Sequence, residues 1–129
     1  MIQYLREIPS APKPVGAYSM AVRANGFVFC AGQIGIDPAT GAMVTGGLEK
    51  ELPQVLANLR AVLKGAGSSP EQIVATSVFL ANISDSKRVN EVYSEFVSPE
   101  ALPARQTFAV KDLPLGAQVE ISVIAVYKD

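Results

Sequence analysis

Hydrophobic and polar positions change period several times along the chain, and each change marks an element. Residues 3–8 alternate weakly and predict an edge strand. Pro9, Pro12 and Pro14 then force an extended stretch, because proline fixes φ and lacks an amide donor. Residues 18–23 predict a short strand, and Asn25-Gly26 signals a two-residue hairpin turn into the next one. Residues 27–36 (FVFCAGQIGI) are apolar on both alternating faces. One face carries Phe27, Phe29, Ala31 and Gln33; the other carries Val28, Cys30, Gly32 and Ile34. Such a strand is expected to be covered on both sides. Asp37-Pro38-Ala39-Thr40-Gly41 is turn chemistry.

The period then lengthens. Leu48, Leu52, Val55, Leu56, Leu59, Val62 and Leu63 step by threes and fours, which predicts an amphipathic helix. Pro53 either starts that helix or kinks its opening turn, and Gly65-Ala66-Gly67 ends it. A strand follows over residues 73–80. Asp85 or Ser84 is placed to cap a second helix with Val89, Val92, Tyr93 and Phe96 inward. Residues 104–110 and 118–127 predict the last two strands, joined through Leu113-Pro114-Leu115-Gly116. The order predicts an α+β fold, one mixed sheet with two helices on one face. The last strand is apolar on both faces, with Val119, Ile121, Val123 and Ala125 against Ile124 and Val126. Two helices cover one side of a sheet, so the other is expected to meet a second copy in a homo-oligomer.

Composition narrows the chemistry. The 129 residues fit a single domain, 1–129, and 49% hydrophobic content argues against disorder. A net charge of −1 with scattered basic residues argues against a nucleic-acid partner. No signal peptide or apolar span of bilayer length is read, so no membrane partner is expected. One cysteine, Cys30, allows no intrachain disulfide and fits a reducing cytoplasm. The chain has no histidine. That removes Ser-His-Asp and Cys-His catalysis and His-containing zinc sites, so no metal is expected. Acid–base work falls to Asp, Glu, Tyr, Lys, Cys or water.

Several stretches, in order, resemble the RidA (YjgF/YER057c) family. They are Val15-Gly16-Ala17-Tyr18-Ser19, Phe29-Cys30-Ala31-Gly32-Gln33-Ile34 with the turn after it, and Pro103-Ala104-Arg105 with residues 119–125. Asn58-Leu59 and Val89-Asn90-Glu91-Val92-Tyr93 fit as well. The resemblance implies a chorismate-mutase-like fold with a six-stranded sheet, a homotrimer, and clefts between subunits. It implies hydrolysis of reactive 2-imino or enamino acids, such as 2-iminobutanoate and 2-iminopropanoate, to 2-oxo acids and ammonia without a cofactor.

The residues themselves leave alternatives that the resemblance weighs. Arg105 offers a planar fork matching a carboxylate, or else makes an interfacial salt bridge or snorkels. Glu120 could position water and move protons, or pair with a lysine in solvent. The resemblance implies that Arg105 and Glu120 are catalytic, and that Tyr18, Gly32, Thr107 and Asn90 bind substrate beside Arg105. Tyr18 is otherwise a half-buried aromatic, Gly32 a bulge, and Asn90 a structural side chain. Cys30 reads as a buried, inert thiol. Ala31 stands where many relatives have serine, and Thr107 where many have cysteine. A non-catalytic small-carboxylate-binding, regulatory or chaperone-like trimer is the alternative. RNA cleavage, a role also attached to the family, is disfavoured by the neutral charge and missing histidine.

Overall fold

The computed structural model describes residues 1–128. The N-terminal alternation forms an edge strand, β1 (Ile2–Leu5). β2 (Ala21–Ala24) and β3 (Phe27–Cys30) form the expected hairpin, with Asn25 and Gly26 both at positive φ (51° and 84°). These are the angles a primed turn requires. β2 starts later than the sequence predicts, because residues 15–18 turn back on themselves before pairing begins.

Helix α1 (Leu48–Gly65) buries Leu52, Val55, Leu56, Leu59, Val62 and Leu63. Each such side chain contributes about 2 kcal/mol on leaving water, and together they hold the helix to the sheet. The helix runs through Pro53, which lies exposed in its second turn and forgoes one backbone hydrogen bond, to the Glu49 carbonyl. Its end is a Schellman motif. Gly67, at φ 80°, donates to the Lys64 carbonyl at 3.1 Å, and Ser68 to that of Leu63 at 2.8 Å.

β4 (Ile73–Leu80) follows a 3₁₀ turn at Pro70–Gln72. α2 (Ser86–Phe96) buries Val89, Tyr93 and Phe96, with Val92 half-buried. Its expected side-chain cap is absent: Asp85 holds the cap position without such a bond. The Asn82 side chain instead accepts from the Ser84 amide at 3.0 Å and closes the preceding 3₁₀ turn. β5 (Ala104–Ala109) and β6 (Val119–Val126) complete the sheet.

The strand order is β1-β2-β3-β6-β4-β5, with β4 and β5 parallel and the other pairs antiparallel. Val119, Ile121, Val123 and Ala125 lie buried under the helices. Glu120, Ser122, Ile124 and Val126 alternate onto the opposite face. There Phe27 and Phe29 are exposed with ring centroids 6.4 Å apart, and Phe108 is exposed beside Phe79. The helices therefore leave one broad, largely apolar sheet face uncovered.

One predicted strand is broken. Phe29 pairs with Ile124, yet Gln33 pairs with Ile121, so four steps along one strand match three along the other. The extra residue is a β-bulge at Ala31-Gly32. It reverses the facing beyond it. Gln33 belongs by strict alternation with Phe27 and Phe29, but turns under the helices and is 4% exposed.

Candidate active site

The bulge brings Gly32 against β6. A Cβ built on Gly32 would stand 2.5 Å from Glu120 Oε2, so only glycine leaves room for that carboxyl group. Glu120 is half-buried, and desolvation raises its pKa above the ordinary glutamate value. Gly32→Ala is therefore expected to push the Glu120 side chain aside. Circular dichroism and the melting temperature should stay close to the parent's, while a crystal structure of the variant shows the Glu120 carboxyl group displaced from residue 32. A Glu120 side chain left in its parent position in that variant would contradict the packing described here.

Tyr18 reaches the same place from the N-terminal side. Arg6 donates to the carbonyls of Gly16 and Tyr18, and the Val15 amide donates to the Tyr18 hydroxyl at 3.3 Å. Tyr18, Ala31, Gly32 and Glu120 thus line one cleft of about 650 Å³, walled otherwise mainly by apolar groups such as Met20, Ile34 and Leu115. Helix α1 fixes the wall from behind. Asn58, fully buried, donates to the carbonyls of Ile34 (3.1 Å) and Ile36 (2.8 Å). Buried Glu51 accepts from the Gln118 amide at 2.8 Å, two residues before Glu120.

The remaining predicted residues lie elsewhere. Thr76 of β4 pairs with Arg105 on one side and with buried Val123 on the other, and its hydroxyl meets Tyr93 of α2. Arg105 is consequently on the helix-bearing side of the edge strand. It is exposed, and its guanidinium carbon lies 5.0 Å from the Tyr93 ring centroid. Thr107, half-buried, shares that side through its pairing with buried Val78. Asn90 is exposed on α2, one turn before Tyr93. Glu120, by contrast, shares the open face with Phe79 and Phe108.

Within one chain the structure thus brings Glu120, Gly32 and Tyr18 together, and separately places Arg105 and Thr107 on one face with Asn90 on the neighbouring helix. Their β-carbons point to opposite sides of the sheet. Along the strands Thr76 and Phe79 are three residues apart, and β5 is two positions from β6. Those offsets put the Arg105 and Glu120 Cα atoms about 14 Å from each other.

Cys30 is buried under the helices, and burial pushes its thiol up to about 12, so it stays protonated and unreactive. Among the described residues no cluster of His, Cys, Asp and Glu could hold a metal ion. Sequence reasoning did not single out Arg6 or Glu51, and Asn58 entered only as part of a motif. A buried polar residue on a helix's apolar stripe, such as Asn58 among leucines, was the available signal.

A family model described as endoribonuclease L-PSP matches residues 8–127, nearly the whole chain. The chain belongs to this L-PSP family, which is also the YjgF/RidA family. Among its L-PSP relatives, 2-iminobutanoate/2-iminopropanoate deaminase of Rattus norvegicus is 44% identical over 90% of this chain and 84% of its own length. A structure of a conserved Rid family protein from Yersinia pestis is 42% identical with a TM-score of 0.92, covering 98% of this chain and 99% of that one. TdcF of E. coli, solved with bound serine, is 31% identical with a TM-score of 0.88, covering 98% of this chain and 100% of that one. These L-PSP/RidA structures share the α+β fold described above.

Proposed function

We propose that the chain is a hydrolytic deaminase of reactive 2-imino acids, such as 2-iminobutanoate and 2-iminopropanoate, and works as a cofactor-free homotrimer in the cytoplasm. The observation that carries this reading is the split site. A cationic fork and a desolvated carboxylate lie on opposite sides of one sheet, and the face beside the carboxylate is uncovered and apolar. Docking a second copy onto that face buries it and sets Arg105, Thr107 and Asn90 of one copy facing Glu120, Gly32 and Tyr18 of the next. A small imino acid needs both parts. Its carboxylate matches the guanidinium bidentately, and its C=N carbon is then presented to water beside Glu120.

The chemistry runs in two stages. Glu120, ionised, takes a proton from the water that adds to the iminium carbon, giving a carbinolamine. The same carboxyl group returns that proton to nitrogen; as the C–N bond breaks, the carbinolamine hydroxyl gives its proton to the freed carboxylate, which passes it to the departing ammonia, so that ammonium and the 2-oxo acid are released. Desolvation strengthens Glu120 as a base for the first stage. Thr107 supplies backbone and hydroxyl groups near the carboxylate, and Ala31 leaves the cleft wall apolar where many relatives have serine.

The deciding experiment adds the protein to a threonine dehydratase reaction and follows 2-oxobutanoate release. The expected result is faster release in proportion to added protein, undiminished by chelator. Binding of 2-oxobutanoate with no acceleration would favour the non-catalytic trimer that holds small carboxylates.

A further inference from the structure

Arg105 sits on an exposed edge strand, and pairing of β4 with β5 fixes only its backbone. A free arginine there would spread over many rotamers and lose that freedom on binding. The ring of Tyr93 stands in the way of that spread, with the guanidinium carbon 5.0 Å from its centroid. The ring itself is immobile. It is 4% exposed, and its hydroxyl shares a 2.8 Å hydrogen bond with Thr76 Oγ1, also buried. Thr76 is the residue paired in register with Arg105.

The three residues therefore close a frame. Strand pairing sets the Arg105 backbone against Thr76, the hydroxyl contact sets the ring against Thr76, and the ring face carries the cation. The fold alone does not require the two hydroxyls. Phenylalanine and valine would fill the same space, and replacing both partners of a buried hydrogen bond by apolar groups of like shape is nearly neutral for stability. Burial pushes the Tyr93 phenol up, while the Thr76 hydrogen bond and the Arg105 charge pull it back, as expected when the cation is close.

We propose that Tyr93, anchored by Thr76, is a positioning residue that pre-orients the Arg105 guanidinium for the substrate carboxylate. This rests on the carboxylate-binding role proposed for Arg105. A pre-set fork lowers KM, because the ordering cost is met before substrate arrives.

The test is a double-mutant cycle of Tyr93→Leu and Arg105→Ala, read as kcat and KM for 2-iminobutanoate generated from threonine, with melting temperatures for each variant. Tyr93→Leu is expected to raise KM about tenfold at little change in kcat, and Tyr93→Phe, which keeps the ring but loses its Thr76 anchor, to raise it about threefold. In the Arg105→Ala background Tyr93→Leu should change nothing more. Parent KM in Tyr93→Leu, with Arg105→Ala impaired, overturns the positioning role alone. So does an equal loss from Tyr93→Leu in both backgrounds, which would mark a packing effect. Parent kinetics in Arg105→Ala instead overturn the carboxylate-binding reading itself. If Tyr93→Leu does not fold, the Tyr93→Phe/Thr76→Val pair decides: a KM raised about threefold supports the frame, and parent KM overturns it.

Discussion

Arg105→Ala should lower kcat/KM for 2-imino acids by about a hundredfold, the loss expected when charge-assisted, paired hydrogen bonds to a carboxylate disappear. Arg105→Lys recovers little of it, because an ammonium is a point charge without the planar fork. Both proteins should remain folded. Arg105 is exposed on an edge strand, and its removal leaves no cavity in the core. The split geometry adds a sharper expectation. Arg105 and Glu120 lie on opposite sides of the sheet, so in the proposed trimer each working site takes the arginine from one copy and the glutamate from another. Unfolding and refolding equal amounts of the Arg105→Ala and Glu120→Gln proteins together should restore activity that neither has alone. Random assembly into trimers gives about one intact site in four. Separate refolding followed by mixing serves as the control. No recovery in co-refolded trimers, verified by light scattering, would mean that one chain carries the whole site.

What the sequence made legible follows its periods. The heptad-like stripe from Leu52 to Leu63, the strand at Ile73–Leu80 and the Asn25-Gly26 turn are local signals, and local chemistry honours them. The two-sided apolar pattern of β6 likewise pointed to an uncovered face. The bulge at Ala31-Gly32 left no such trace. The apolar run continues through it unbroken, and only the pairing partner shows that one residue is extra. Strict alternation puts Gln33 on the open face for that reason, whereas it lies buried under the helices. The relation of Arg105 to Glu120 was hidden in the same way. Alternation tells which residues of one strand share a face, but comparing two strands needs their register, and here Thr76 and Phe79 of the intervening strand supply it. Tyr93 read simply as core, since nothing local announces that its hydroxyl meets Thr76 and its ring meets Arg105.

Glu120→Gln should cut kcat by about a hundredfold to ten-thousandfold with KM nearly unchanged, the range spanned by general acid–base groups. Glutamine keeps the shape beside Gly32 but neither accepts a proton from water nor returns one to nitrogen. The pH profile separates this role from simple crowding. Glu120 must be ionised to take the proton, so the rate falls as pH drops through its pKa. Desolvation places that pKa above the ordinary 4.5, and the acid limb of the parent's profile should lie correspondingly high. In Glu120→Gln the residual rate should lose that limb. Stability moves in the opposite sense. A glutamate whose folded pKa exceeds its unfolded one favours the native state at low pH, and that contribution is lost as pH rises through the raised value. The parent should therefore lose a small increment of melting temperature, relative to Glu120→Gln, across the same interval in which its activity rises. A site that spends stability to hold a carboxylate out of water gains a stronger base there. An acid limb shared by parent and Glu120→Gln would assign the proton transfer to another group.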